Sequence, residues 1–287
     1  MKSRQLYFLD RNIVDLIKRC NSGKKVSDPK KIEKMDFLKC IDTPSSLVTP
    51  MLSMIEGQKG RKETRQEKMD VAKKETEAVS RFFTKAKTDD LVMQSMTTEF
   101  ADAFSEPSMH SWEEVENFLR ESCPLIVNNI AEKNREGVKE KILGFARSNC
   151  LPPSHLAVTL CLSCLYGSEA ARGVIKPARI KEKMYNVMSD IYVMPQINLV
   201  RSLLANLGLH DIETTYVTSD EDLEKVLDSI QIIDLDFDAH ADLLQQKIRY
   251  RKSLFPWLKK NEYLRLMEHL HRATIDPDAS SDSLHAD

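Results

Sequence analysis

The chain has 287 residues, 41% of them hydrophobic, which is enough apolar material for one large domain or two modest ones. Its 42 Lys and Arg stand against 44 Asp and Glu, a formal charge of -2, so no global basicity points to nucleic acid and any polyanion must meet a local patch. No stretch approaches the ~20 apolar residues of a membrane span, and the apolar run in MKSRQLYFLD is too short for a signal peptide, so a cytoplasmic protein with no membrane partner is expected.

In chain order, QLYFL (5–9) reads as a buried strand that ends at Asp10, where the helical pattern RNIVDLI begins. SLVTP (46–50) reads as a short second strand closed by a proline. Residues 61–87 contain no Gly or Pro and are rich in helix formers, with a thin apolar stripe from Met69, Ala72, Val79, Phe82 and Phe83, the pattern of a long, mostly solvated helix. Further helices are expected at 112–133, opening at Ser111 with Glu114 three residues on, then at 135–147, 154–165 and 177–207, the last kinked or broken by Pro195. ETTYVTS (213–219) and SIQIIDLDF (229–237) read as the third and fourth strands. Strands that alternate with helical patterns predict an α/β fold, a small parallel sheet covered by helices, with a large helical insertion. The expected division is a core of 1–60 and 176–240, an insertion at 61–175, a helical extension at 241–273 and a polar, disordered tail at 274–287.

In open parallel sheets, ligands gather outside the carboxyl ends of the strands. Asp10 follows the first strand, Glu56 the second (in MLSMIEGQKG), and Asp220 the third (in TSDEDL), while Asp190 interrupts an apolar helix among Val187, Met188, Ile191, Tyr192 and Val193. Asp10 and Asp220 are also good helix N-caps, and capping does not exclude coordination. A charge in the Asp190 setting is costly to bury without a partner.

Four segments, in order, resemble the motifs of the PIN-domain nucleases. FLDRNIVDLI resembles the opening strand and helix, with Asn12 two residues after the first acid. TPMLSMIEGQKG resembles the second motif, MYNVMSDIYVMPQINLVRSLLANLG the third and TTYVTSDEDLEKV the fourth. Arg11 departs from the pattern, standing where a small hydroxyl residue is usual, and the region between the second and third acids is longer than in compact members. The resemblance implies a PIN-like sheet and a Mg²⁺- or Mn²⁺-dependent nuclease, RNA being favoured over DNA. Asp10, Glu56, Asp190 and Asp220 would be catalytic metal ligands, Asp222 an auxiliary ligand, and Asn12 the support of the Asp10 loop. It further implies an antitoxin or other regulatory protein partner, as for bacterial toxin and antiphage members, and leaves a homo-oligomer open. Chemistry supports the cluster independently: carboxylates ~4 Å apart repel by about 4 kcal/mol per pair at an effective dielectric near 20, so four together require a cation. The alternative is a catalytically inactive PIN-like scaffold that binds nucleic acid or protein.

Other signals are weaker. Asp234, Asp236 and Asp238 have calcium-loop spacing, but Ala239 and Gln245 occupy the positions that need Gly and Glu, and alternation with Leu235 and Phe237 indicates a strand. Cys161 and Cys164 form a lone CxxC in an apolar helical context, read as core thiols, and the six scattered cysteines suit a reducing compartment. KIRYRKSLFPWLKK (247–260) holds six bases and no acid, so Arg249, Arg251, Lys252 and Trp257 are candidate contacts to single-stranded nucleic acid. Phe255 and Trp257 equally suit an anchor for the C-terminal helix.

Overall fold

The computed structural model describes residues 4–56, 63–89, 112–206, 208–209, 211–238 and 243–272. The expected tail at 274–287 and the Ser111 cap lie outside them. Two compact units divide the chain: Met1–Pro107 with Tyr192–Glu224, and Ser108–Ile191 with Lys225–Asp287. No helix among the described residues is long and apolar enough to cross a membrane.

The first unit is built on a four-stranded parallel sheet of order β3-β2-β1-β4. Its strands are β1 (Arg4–Leu9), β2 (Ser46–Thr49), β3 (Lys87–Thr88) and β4 (Ile212–Val217). Burial deepens along β1 to Phe8 and Leu9, so the strand's carboxyl end is its driest part. Helix α1 (Arg11–Asn21) follows at once and buries Ile13, Val14, Leu16 and Ile17, one stripe at helical spacing, against Leu9, Val48, Val79 and Val217. Helix α2 (Pro29–Cys40) begins where Asp28 accepts the Lys30 N–H and Pro29 presets the first turn; it contributes Met35 and Leu38 to the same core. A short α3 (Met51–Glu56) follows β2, and α4 (Arg65–Phe82) opens on a capping box between Thr64 and Glu67. The Asp42 carboxylate accepts the N–H groups of Lys85 and Ala86, each at 2.8 Å, and both donors of Thr84, which pins the approach to β3.

The second unit is mainly helical, with helices Trp112–Ser122, Glu132–Ser148, Leu156–Leu165 and Glu169–Ile175. All ten residues of Leu156–Leu165 are buried, which explains an apolar run without amphipathic pattern. Cys123, Cys161 and Cys164 are buried free thiols; a hydrogen bond with Cys123 together with burial pushes the Cys161 thiol far up, away from the reactive thiolate. A two-stranded antiparallel hairpin, β5 (Ile230–Asp238) and β6 (Leu243–Tyr250), and helix Lys260–Arg272 complete the unit.

The α/β class and the parallel sheet agree with expectation, but several elements differ from it. The 229–237 strand does not join the parallel sheet: only four residues, 239–242, separate it from β6, too short for a parallel crossover and suited to a hairpin. The fourth parallel strand is the two-residue β3. The 112–133 segment turns into a 3₁₀ helix at Cys123–Ile126, where Pro124 removes a donor. Pro195 does not break its helix, which runs from Ile180 to Asn206 and holds the division between the units, at Ile191 and Tyr192. Helix α4, expected in the helical insertion at 61–175, belongs to the first unit and buries Val71, Ala72, Glu75, Thr76 and Val79. Part of the expected 241–273 helical extension is the strand β6.

Candidate functional site

The chain runs from β1 to β2 and β3 on one side and then adds β4 on the other side of β1, so the strand order reverses between β1 and β4 and the crevice at their carboxyl ends is a topological switch point. Asp10 sits there, 1% exposed, its N–H donating to the Val217 carbonyl at 2.9 Å. Extended backbone at φ -64°, ψ 154° lets its carboxylate turn back as the N-cap of α1. Oδ1 accepts the Asn12 N–H at 3.1 Å; Oδ2 accepts the Asn12 amide at 3.4 Å and the Thr218 hydroxyl. The Thr218 Oγ1 in turn accepts the Asp220 N–H at 3.0 Å. Asp220 caps the helix Glu221–Asp228 by accepting the N–H groups of Asp222 and Leu223 at 3.0 and 3.1 Å. One chain of hydrogen bonds thus ties the ends of β1 and β4 through two carboxylates and a hydroxyl.

The Asn12 and Asp220 ends of this chain open onto a cleft of about 420 Å³ lined by Asn12, Lys30, Ser219, Asp220, Glu221 and Asp222. Lys30 Nζ donates to Glu221 Oε1 at 2.5 Å, and one turn along α2, Lys34 Nζ lies 3.9 Å from Glu224. The hydrogen bond and charge of Glu221 hold the Lys30 ammonium above its usual pKa.

Among the described residues of the first unit the carboxylates of Asp10, Glu63 and Glu75 are buried, and the two deepest, Asp10 and Glu75, are compensated differently. Glu75, 0% exposed, faces a cation: Lys18 Nζ lies 2.9 Å from its Oε1, while the Ser53 hydroxyl donates to Oε2. Asp10 is held by neutral donors, and among the described residues no ion pair reaches it. Burial of an ionised carboxylate is expensive, and neutral donors recover part of that cost without cancelling the charge. A carboxylate offers about four lone-pair sites, of which these donors use three.

The other predicted ligands are placed as follows. Asp222 lines the cleft beside Asp220. Asp190, on the helix Ile180–Asn206, is in the second unit, where it is largely buried and its Oδ2 lies 3.7 Å from Lys176 Nζ; the partner that its apolar surroundings demand is at least in part this lysine. Glu56 ends α3, and its side chain lies outside the described residues. Among the described residues, no three His, Cys, Asp or Glu side chains converge to hold a metal ion. Carboxylate oxygens such as those of Asp10, Asp220 and Asp222 are hard donors of the kind that Mg²⁺ and Mn²⁺ take.

The basic stretch is more constrained than its composition suggests. Trp257 rests against Gly167, where a Cβ would come within 2.2 Å of the indole, and the Arg135 guanidinium lies 4.4 Å over its ring. The Trp257 backbone N–H donates to the Tyr166 carbonyl at 3.1 Å and Phe255 is fully buried, so this segment is anchored to the helical core while the Trp257 side chain stays 38% exposed. Lys252 donates to the carbonyls of Phe255 and Pro256 at 2.9 and 3.3 Å. Arg249 and Arg251 are exposed.

Thr218, Glu75 and Lys30 were not singled out from sequence. Thr218 carries a signal in VTSD, a hydroxyl at a strand's end two residues before an acid, and Lys30 another in KKVSDPKKIEK (24–34), which holds five lysines against two acids. Glu75 carries none, being one charge among many on α4. Comparison with protein-family models, with curated proteins and with solved structures finds no match.

Proposed function

We propose that the chain is a Mg²⁺- or Mn²⁺-dependent phosphodiesterase of the PIN-like kind that cleaves nucleic acid, RNA being the favoured substrate. The observation that carries this reading is Asp10: a buried carboxylate at the switch point of a parallel sheet, held by Thr218 and Asn12 and paired with no cation among the described residues. A protein that keeps such a charge in place has a use for a cation there. Asp220 and Asp222, joined to Asp10 through Thr218, supply further hard oxygens at the cleft. Bound there with a substrate phosphate, a divalent ion would supply charge neutralisation and an acidified water. Thr218 and Asn12 fix the orientation of Asp10 before anything binds, and Asp220 is fixed by the helix it caps. The test is hydrolysis of labelled single-stranded RNA and DNA by the full chain in Mn²⁺ and in EDTA, wild type against Asp10→Asn. Metal-dependent cleavage lost in the variant supports the reading; equal cleavage by both proteins defeats it.

The second reading, a non-catalytic PIN-like scaffold, is favoured by one observation: the cleft already holds a cation of the chain's own, Lys30, paired with Glu221. It predicts nucleic-acid binding without metal-dependent cleavage.

A further inference from the structure

Two ion pairs join α2 to the helix Glu221–Asp228, the first at the cleft and the second one turn beyond it. Lys30 and Lys34, four residues apart on α2, face Glu221 and Glu224, three residues apart on the helix that Asp220 caps. The spacing places each pair of side chains on one face of its helix, so the rungs stack from the cleft outward. The first rung is wet, with the Lys30 and Glu221 side chains 78% and 58% exposed, and the second is partly so, with Lys34 and Glu224 31% and 53% exposed. Exposed pairs of this kind contribute little to stability, so fold maintenance does not account for a matched double rung that begins at this cleft. Lys24, Lys25 and Lys31 extend the same basic segment and are exposed.

We propose that Lys30 and Lys34 form a polyanion-gated latch: the phosphates of a single-stranded nucleic acid displace Glu221 and Glu224 from the two ammonium groups, and the lysines then hold the strand's backbone over Asp220. This deepens the function proposed above and rests on it for the nature of the substrate, although the latch itself requires only that a phosphodiester backbone binds. An ammonium is a compact donor that exchanges partners readily, and a backbone phosphate offers it full negative charge in place of a carboxylate. The acids act as an internal competitor, so weakly bound anions do not enter.

The latch makes a prediction of opposite signs larger than the general charge effect. If the rungs merely join two helices, removing either partner costs the same small stability, and affinity shifts no more than for equal charge changes at exposed residues away from the cleft, Lys133→Gln with Lys141→Gln or Glu132→Gln with Glu140→Gln. If they compete with substrate, loss of the lysines weakens binding and loss of the acids strengthens it, each beyond those controls. The experiment uses the full chain carrying Asp10→Asn, in EDTA, with a fluorescein-labelled 20-nucleotide single-stranded RNA and a DNA of the same sequence, read by anisotropy over a salt series. Lys30→Gln with Lys34→Gln should weaken binding by about tenfold and flatten the log K against log salt slope by about 1.4, roughly 0.7 for each phosphate no longer neutralised. Glu221→Gln with Glu224→Gln should tighten binding severalfold. Unfolding midpoints of both variants establish that they are folded. The proposal is overturned if the parent protein binds neither oligonucleotide, if both double variants shift affinity in the same direction, or if either shifts it no more than its control. Cleavage is not read here, so a chain that binds as stated but does not hydrolyse RNA in Mn²⁺ removes the nuclease reading and leaves the latch.

Discussion

Asp10 and Glu75 are the same functional group in the same unit at nearly the same depth, and the difference between them lies in what faces them. Glu75 joins three elements: it belongs to α4, its cation Lys18 to α1, and its hydroxyl donor Ser53 to α3. Its charge is settled inside the fold. Asp10 joins two strand ends through a hydroxyl and an amide, and no resident cation among the described residues neutralises it. A buried acid paired with a lysine acts as architecture, whereas a buried acid held only by neutral donors at a strand's carboxyl end keeps its negative charge uncancelled, and on the function proposed above that charge serves a cation from outside.

The largest effect expected from this contrast is on catalysis. Asp10→Asn preserves the helix cap, since Asn caps as well as Asp, but removes the charge. It should lower metal-dependent cleavage by more than about 100-fold, the upper end of what loss of a ligand's outer partner produces. Glu75→Gln should leave cleavage per folded molecule intact and instead destabilise the protein, by about 2–3 kcal/mol in urea unfolding. That is below the ~3–5 kcal/mol of a fully buried pair because the Lys18 side chain is 28% exposed. Lys18→Met together with Glu75→Gln should recover part of that loss, because no charge remains buried without its partner. A still smaller change is expected from Thr218→Val, which keeps the shape but deletes the donor to Asp10 and the acceptor for Asp220: about tenfold in cleavage, with modest destabilisation. Lys30→Gln should leave the unfolding midpoint unmoved, since its pair with Glu221 is fully wet.

Much of the sheet could be read from the sequence because the signals at β1, β2 and β4 are local: an apolar run, an abrupt polar residue and a helical stripe. The acids at their ends followed from that reading, so Asp10 and Asp220 were found as soon as the strands were. β3 escaped because two residues, Lys87 and Thr88, have no period to detect, and their pairing is set by Asp42 holding the backbone from 42 residues away. β5 was recognised as a strand yet assigned to the wrong sheet, since alternation fixes conformation and not partner. Helix α4 buries its thin apolar stripe at Ala72 and Val79 as the spacing indicates, but its buried face also includes Glu75 and Thr76, polar residues that the fold satisfies, Glu75 through distant elements and Thr76 through its own helix. Asp190 is similar: sequence indicated that it needs a partner but not that Lys176 is near. In the site, local spacing exposed the carboxylates, while the features that separate a waiting charge from a settled one, Thr218 at one and Lys18 at the other, depend on tertiary contact.

The most direct test of that distinction is the unfolding midpoint in Mn²⁺ and in EDTA for wild type, Asp10→Asn and Glu75→Gln. A cation that binds only the folded site stabilises it by mass action, so wild type and Glu75→Gln should each gain several degrees in Mn²⁺ while Asp10→Asn gains none. A midpoint that does not respond to Mn²⁺ in wild type, or that rises equally in Asp10→Asn, would contradict the claim that Asp10 is kept for a cation.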